Sequence, residues 1–300
     1  MNYNSLAKAL ADSGIANSTD TRLAPYTTFR IGGAAKIAVF PKNPGEAVTA
    51  LGLIRDSGAR CLVLGNGSNV LVSDSGFDGA AVILSGMRNY SLDGEKITAA
   101  AGLSITRLSS IAAENSLSGL EFAYGIPGTV GGGVFMNAGA YGGEIGSVVL
   151  LSEWYDLKTG RTGEYEGAEQ GFSYRHSVYM DEEKIILSAV FGLEKGDRAG
   201  ITSRMEDYMA RRREKQPLEY PSAGSVFKRG NGFITAQVID EVGLKGRSVG
   251  GAMVSEKHAG FIINTGGATS DDVLRLIEII KREVFEKTGH TIECEVRYID

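Results

Sequence analysis

Between positions 125 and 143 the chain reads Gly125-Ile126-Pro127-Gly128-Thr129-Val130-Gly131-Gly132-Gly133 and continues through Asn137-Ala138-Gly139-Ala140-Tyr141-Gly142-Gly143. Ile126, Pro127 and Val130 have little conformational freedom. Set among glycines, they predict one fixed backbone path that something bulky approaches closely, and not a flexible linker. Successive N–H groups along such a path can cradle a phosphate or diphosphate. A second glycine turn, Gly65-Asn66-Gly67-Ser68-Asn69, follows the short apolar run Leu62-Val63-Leu64. It begins like the dinucleotide fingerprint G-x-G-x-x-G, but the third glycine is missing. The apolar run Val70-Leu71-Val72 also stands where a Rossmann unit needs a helix. Neither turn is a P-loop, because no Gly-Lys-Ser/Thr follows. The 65–69 turn alone reads equally well as a plain turn between strands. The two together imply a bound phosphoanhydride without saying which one.

Around these turns the periodicity alternates between short strands and helices. Asn43-Pro44-Gly45-Glu46 predicts a helix start with Asn43 as cap and Pro44 first; Val48, Leu51 and Ile54 follow at helical spacing and Gly58 ends it. Strands are expected at 62–64, 70–72, 81–84, 97–101, 148–151 and 185–190, and a helix from Ser104 to Asn115. A boundary is expected near Leu193-Glu194-Lys195-Gly196-Asp197. It separates a mixed α+β region at 1–197, made of two subdomains, from a smaller region at 198–300 whose final strand returns to the first. Ser203-Arg204-Met205-Glu206 reads as a capping box opening a charged helix that breaks at Pro217. Thr269-Ser270-Asp271-Asp272 opens the last helix, with Leu274, Ile277 and Val284 inward and Gly289 at its end. The chain is expected to close on an alternating strand from Thr291 to Ile299. The fold class is α+β.

Bulk properties exclude several classes. A net charge of -5 on 300 residues argues against a nucleic-acid protein held by overall electrostatics. No apolar run approaches the ~20 residues that span a bilayer. The start Met1-Asn2-Tyr3-Asn4-Ser5 lacks a secretory pattern, so a cytoplasmic location is expected. Two cysteines, Cys61 and Cys294, in apolar surroundings read as buried thiols and not as a disulfide framework. The three histidines, His176, His258 and His290, have no paired spacing, so no metal is expected.

Three segments hold the candidates for chemistry. In Phe172-Ser173-Tyr174-Arg175-His176-Ser177, Arg175 is either a surface residue or a guanidinium fork for a carboxylate. In Pro221-Ser222-Ala223-Gly224-Ser225-Val226-Phe227-Lys228, Ser225 reads locally as a turn serine, and no Gly-x-Ser-x-Gly elbow points to a hydrolase. Glu293, Glu295 and Arg297 alternate with Cys294, Val296 and Tyr298, which on a strand is simply a polar face. Arg211-Arg212-Arg213-Glu214-Lys215 reads first as a solvated helix end, which a nucleotide diphosphate could also use.

These blocks, in this order, resemble the UDP-N-acetylenolpyruvoylglucosamine reductases over essentially the whole chain. The resemblance rests on Thr28-Phe29-Arg30-Ile31-Gly32-Gly33, Leu64-Gly65-Asn66-Gly67-Ser68-Asn69, Gly125-Ile126-Pro127-Gly128-Thr129-Val130-Gly131-Gly132, Tyr174-Arg175-His176-Ser177, Gly224-Ser225-Val226-Phe227-Lys228 and Glu295-Val296-Arg297. It is to the shorter, type II form, since no insertion follows Arg175. Arg229-Gly230 and Asp300 depart from the family pattern.

The resemblance implies an FAD-binding domain of the vanillyl-alcohol-oxidase type and a smaller α+β substrate domain. It also implies an NADPH-dependent flavoenzyme of peptidoglycan precursor synthesis, acting on UDP-N-acetylglucosamine enolpyruvate. Carried over residue by residue, Arg175, Ser225 and Glu295 are the catalytic residues. FAD contacts are expected from Arg30, Gly65, Asn66, Gly67, Ser68, Asn69, Gly125, Ile126, Gly128, Thr129, Gly131, Gly132, Asn137 and Gly139. Tyr174, Lys215, Lys228 and Arg229 are expected to hold substrate. The first glycine turn has no histidine to attach flavin, so FAD is expected to be non-covalent. The enzyme is expected to be a monomer. The rival on the same fold is an oxidase of a sugar or hydroxy acid, which would consume oxygen and release peroxide.

Overall fold

The computed structural model describes residues 2–300. Contacts divide the chain into two units, each discontinuous in sequence. The first comprises 1–20, 36–66 and 79–211, and the second 21–35, 67–78 and 212–300.

In the first unit, the helix Pro44–Ser57 begins where the cap chemistry places it. The Asn43 side chain accepts from Glu46 N at 3.0 Å, and Gly58 closes the helix at φ 71°. Ala47, Ala50, Leu51 and Ile54 form its buried face. That face belongs to one apolar core with the central strands and the helix Ile105–Glu114, which Ser104 caps. One sheet has the order Ala16–Arg22, Ala34–Phe40, Phe77–Ile83, Cys61–Leu64, with the last two strands parallel. The other is antiparallel throughout, in the order Thr162–Glu166, Val149–Asp156, Lys184–Gly192, Lys96–Ala100, Tyr90–Asp93. Its long strand Lys184–Gly192 buries Ile186, Leu187, Ser188, Ala189 and Phe191. The outer strand Tyr90–Asp93 is exposed along its length.

The second unit has its own core beneath a four-stranded antiparallel sheet ordered Ser222–Ser225, Phe261–Asn264, Ala252–Val254, Ser248–Val249. Its long helix Ser270–Thr288 starts on a full capping box between Thr269 and Asp272 and ends at Gly289, φ 74°. The strand Arg297–Ile299 pairs in parallel with Val70–Val72, the segment that leaves the first glycine turn.

Three sequence expectations are corrected. The charged helix starts at Arg198 and not at Ser203, because Asp197 caps it: its Oδ2 accepts from Gly200 N at 2.8 Å. The inward face of the last helix is Val273, Leu276, Ile277, Ile280 and Val284, with Leu274 only partly buried. The closing strand shrinks to Arg297–Ile299, because upstream of it Glu295 N and Val296 N both converge on Val226 O, at 2.7 and 3.4 Å. That convergence breaks any regular ladder. Both cysteines are half-buried and free; burial pushes the Cys61 thiol up to about 12 and the Cys294 thiol upward.

Candidate active site

In the first unit, the two glycine turns meet. A Cβ built on Gly65 would lie 2.1 Å from Thr129 Oγ1, so only glycine fits against the second loop there. Asn66 Nδ2 donates to Pro127 O at 2.8 Å across the same gap. The second loop is pinned from behind: Val130 N reaches Leu103 O and Gly131 N reaches Ala101 O, both at 2.8 Å, and Gly125 N reaches Thr106 Oγ1 at 3.1 Å. No protein acceptor meets the backbone N–H groups of Asn66, Gly128 or Thr129 among the described residues. Such donors need a partner, either water or an anion.

Arg175 lies in the same unit, on a tight turn closed by reciprocal Ser173–His176 backbone bonds of 3.1 Å. It holds a left-handed backbone at φ 55°, uncommon for a side chain of its size and a mark of local constraint. Its Nη1 and Nη2 donate to Asn137 O at 3.4 Å and Gly139 O at 3.0 Å. A guanidinium carries five N–H donors in a planar fork of the kind that matches a carboxylate. Tyr174 beside it is 52% exposed, its ring 5.3 Å from the guanidinium carbon.

Ser225 and Glu295 belong to the second unit. Ser225 ends the strand Ser222–Ser225 after a register shift, with Gly224 left-handed at φ 74° just before it. Bulges of this kind re-aim a side chain. Among the described residues its hydroxyl makes one long bond, to Phe227 O at 3.4 Å. Glu295 N donates to the carbonyl of the very next residue, Val226, at 2.7 Å, and Asn69 Nδ2 donates to Glu295 O at 3.2 Å. Backbone pairing therefore holds the Glu295 segment against the residue that follows Ser225. Lys228 is half-buried and ion-paired with Glu293 at 3.4 Å; Lys215 and Arg229 are exposed. Arg30 is exposed, with φ 56°.

The chain is 45% identical to the UDP-N-acetylenolpyruvoylglucosamine reductase of Caldicellulosiruptor bescii over 97% of its own length and 93% of that protein. The chain belongs to this reductase family. It is 43% identical to the reductase of Lactobacillus acidophilus, covering 97% of both chains. The family's C-terminal domain matches residues 216–299, and an FAD binding domain matches residues 35–163. The crystal structure of the reductase from Thermus caldophilus superposes with a TM-score of 0.79 at 33% identity, covering 95% of this chain and 99% of that one. A variant of berberine bridge enzyme, titled a reticuline dehydrogenase, shares the fold alone: TM-score 0.50, 13% identity, 64% of this chain and 44% of that one. The reductase is thus an FAD oxidoreductase whose flavin region has the vanillyl-alcohol-oxidase fold.

The glycine cradle fits FAD. The unpaired amides of Asn66, Gly128 and Thr129, on two turns that only a glycine at 65 lets meet, suit a diphosphate. The Asn137 side chain has another task, being fully buried with both ends of its amide bonded to protein. Sequence reasoning passed over His258. Burial pushes its imidazole below the ordinary range, and Gly260 N donates to its Nδ1 at 3.1 Å, so the ring is neutral with its proton on Nε2. A Cβ on Gly260 would lie 3.1 Å from both His258 Cε1 and Ser225 Oγ. A lone histidine in a loop carries no sequence signal for such a position.

Proposed function

We propose that this reductase converts UDP-N-acetylglucosamine enolpyruvate to UDP-N-acetylmuramate with NADPH as reductant, supplying peptidoglycan precursor. Arg175, Ser225 and Glu295 are assigned to the chemistry. The observation that supports this reading is the backbone pairing of the Ser225 and Glu295 segments at Val226, beside a Ser225 hydroxyl that makes one long bond to Phe227 O.

Hydride removed from NADPH and placed on the enolpyruvyl methylene carbon is the chemistry that FAD supplies when bound. The addition leaves an electron pair on the adjacent carbon, delocalised into the substrate carboxylate. Preorganised donors aimed at such charge are typically worth ~3–4 kcal/mol each. Arg175 offers two parallel N–H groups to that carboxylate, and Glu295 in its acid form offers a third donor. Ser225 gives its hydroxyl proton to the carbanionic carbon, and solvent reprotonates the alkoxide. A serine is a weak acid, adequate only against a base this strong.

The remaining assignments follow the same reading. Non-covalent FAD is assigned to the cradle, with contacts from Gly65, Asn66, Gly67, Ser68, Asn69, Gly125, Ile126, Gly128, Thr129, Gly131, Gly132, Arg30 and Gly139. Tyr174, Lys215, Lys228 and Arg229 orient the nucleotide sugar. Residues 1–197 serve FAD and residues 198–300 serve substrate, with the last strand returning to the FAD side. We place the enzyme in the cytoplasm as a monomer; its charge of -5 supports the further reading that it has no nucleic-acid partner. No helix among the described residues is long and apolar enough to cross a membrane.

The test is product analysis in the absence of oxygen. Equimolar NADPH consumption with the substrate gaining two hydrogens supports the assignment. NADPH oxidation that needs oxygen, releases peroxide and leaves the substrate unchanged overturns it.

A further inference from the structure

Asn137 is fully buried in a loop between two glycine-rich stretches, with a left-handed backbone at φ 42°. Its amide joins two other segments. Nδ2 donates to Ser173 O at 2.9 Å, and Oδ1 accepts from Gly146 N at 2.8 Å. Ser173 opens the turn that carries Arg175, and the Asn137 carbonyl itself accepts from Arg175 Nη1. On the far side of the turn, Ser177 is also fully buried, and its hydroxyl donates to Phe135 O at 2.7 Å. The Arg175 turn is therefore clasped at both ends by buried polar side-chain bonds to the segment 135–137, the continuation of the second glycine loop.

Leaving either partner of such a bond unpaired in the interior is costly, so the turn has one strongly preferred position. The Asn137 side chain has no exposed surface through which to touch a cofactor. We propose that Asn137, seconded by Ser177, is a positioning residue that presents the Arg175 guanidinium to the substrate carboxylate, and that its side chain makes no contact with FAD. This rests on the reading of Arg175 given under Proposed function, and each variant is judged against the wild-type half-reactions.

The experiment is anaerobic stopped-flow on Asn137→Asp, which keeps the shape and the acceptor facing Gly146 N but loses the donor to Ser173 O. Flavin bleaching by NADPH is expected to stay within about twofold, while reoxidation by the enolpyruvyl nucleotide slows about tenfold or more, as displacement of a catalytic group implies. In a double-mutant cycle with Arg175→Lys, the two losses should be less than additive. Should Asn137→Asp fail to fold, Ser177→Ala decides, with a loss of about threefold or more expected in the second half-reaction alone. Three results overturn the proposal: weakened FAD retention with an unchanged second half-reaction, equal loss in both half-reactions, or full additivity with Arg175→Lys. If the wild type itself shows no enolpyruvyl half-reaction, it is the parent reading that fails.

Discussion

The Arg175 turn of the first unit and the Ser225–Glu295 pair of the second are fixed by different kinds of bond. Arg175 is placed by buried side-chain amide and hydroxyl bonds from Asn137 and Ser177. Ser225 and Glu295 are placed by backbone pairing around Val226. The difference teaches where each is vulnerable. A single side-chain change elsewhere can dislodge Arg175. The other pair should survive such changes and respond mainly to replacement of the reacting groups themselves.

The largest effect that sharpens this contrast is expected for Ser225→Ala. NADPH should still bleach the flavin, while enolpyruvyl reduction slows about 100-fold or more. Survival of both half-reactions would remove Ser225 as the proton donor. Glu295→Ala is expected to follow, with a loss of about tenfold to 100-fold, whereas Glu295→Gln keeps a donor and should lose clearly less. Equal rates for the two variants in stopped-flow would mean that charge, and not hydrogen bonding, is what Glu295 supplies.

How much of this was legible beforehand differs by element. The helix Pro44–Ser57 could be read from Asn43, Pro44, Glu46 and Gly58, since capping is local chemistry. The start of the charged helix could not. Ser203 and Glu206 imitate a capping box, and only the bond from Gly200 N to Asp197 reveals the true cap. The glycine turns could be read as a cradle from composition, because close approach restricts those positions to glycine. That Gly65 packs on Thr129 joins residues far apart in the chain, and no local pattern encodes it. The clasp at Asn137 was hidden for the same reason: an asparagine in a glycine-rich loop looks like a turn residue until its partners are known.

Two smaller effects probe the first unit alone. In Gly65→Ala the new methyl collides with Thr129 Oγ1, and overpacking of this kind typically costs about 1–3 kcal/mol. Thermal melts should show a lower Tm and weaker stabilisation by added FAD, with partial recovery in Gly65→Ala/Thr129→Ala. An unchanged melt and unchanged FAD stabilisation would mean that the two turns do not press together. The smallest effect concerns Glu121. Burial pushes its carboxyl up, but bonds from Arg204, Ser118 and Gly119 outweigh that and hold it below the usual 4.5. Its stabilising contribution is therefore full above the ordinary glutamate value and is lost as pH falls through the lowered folded one. Acid titrations of stability should be shallower for Glu121→Gln in that window; parallel curves would contradict the assignment.

The most direct measurement is the visible spectrum of the purified wild-type protein through one anaerobic cycle. A yellow protein that NADPH bleaches, and whose colour returns on adding UDP-N-acetylglucosamine enolpyruvate without oxygen, is the expected result. A protein that takes up no FAD, or whose bleached flavin recovers its colour only when oxygen enters, would contradict the assignment.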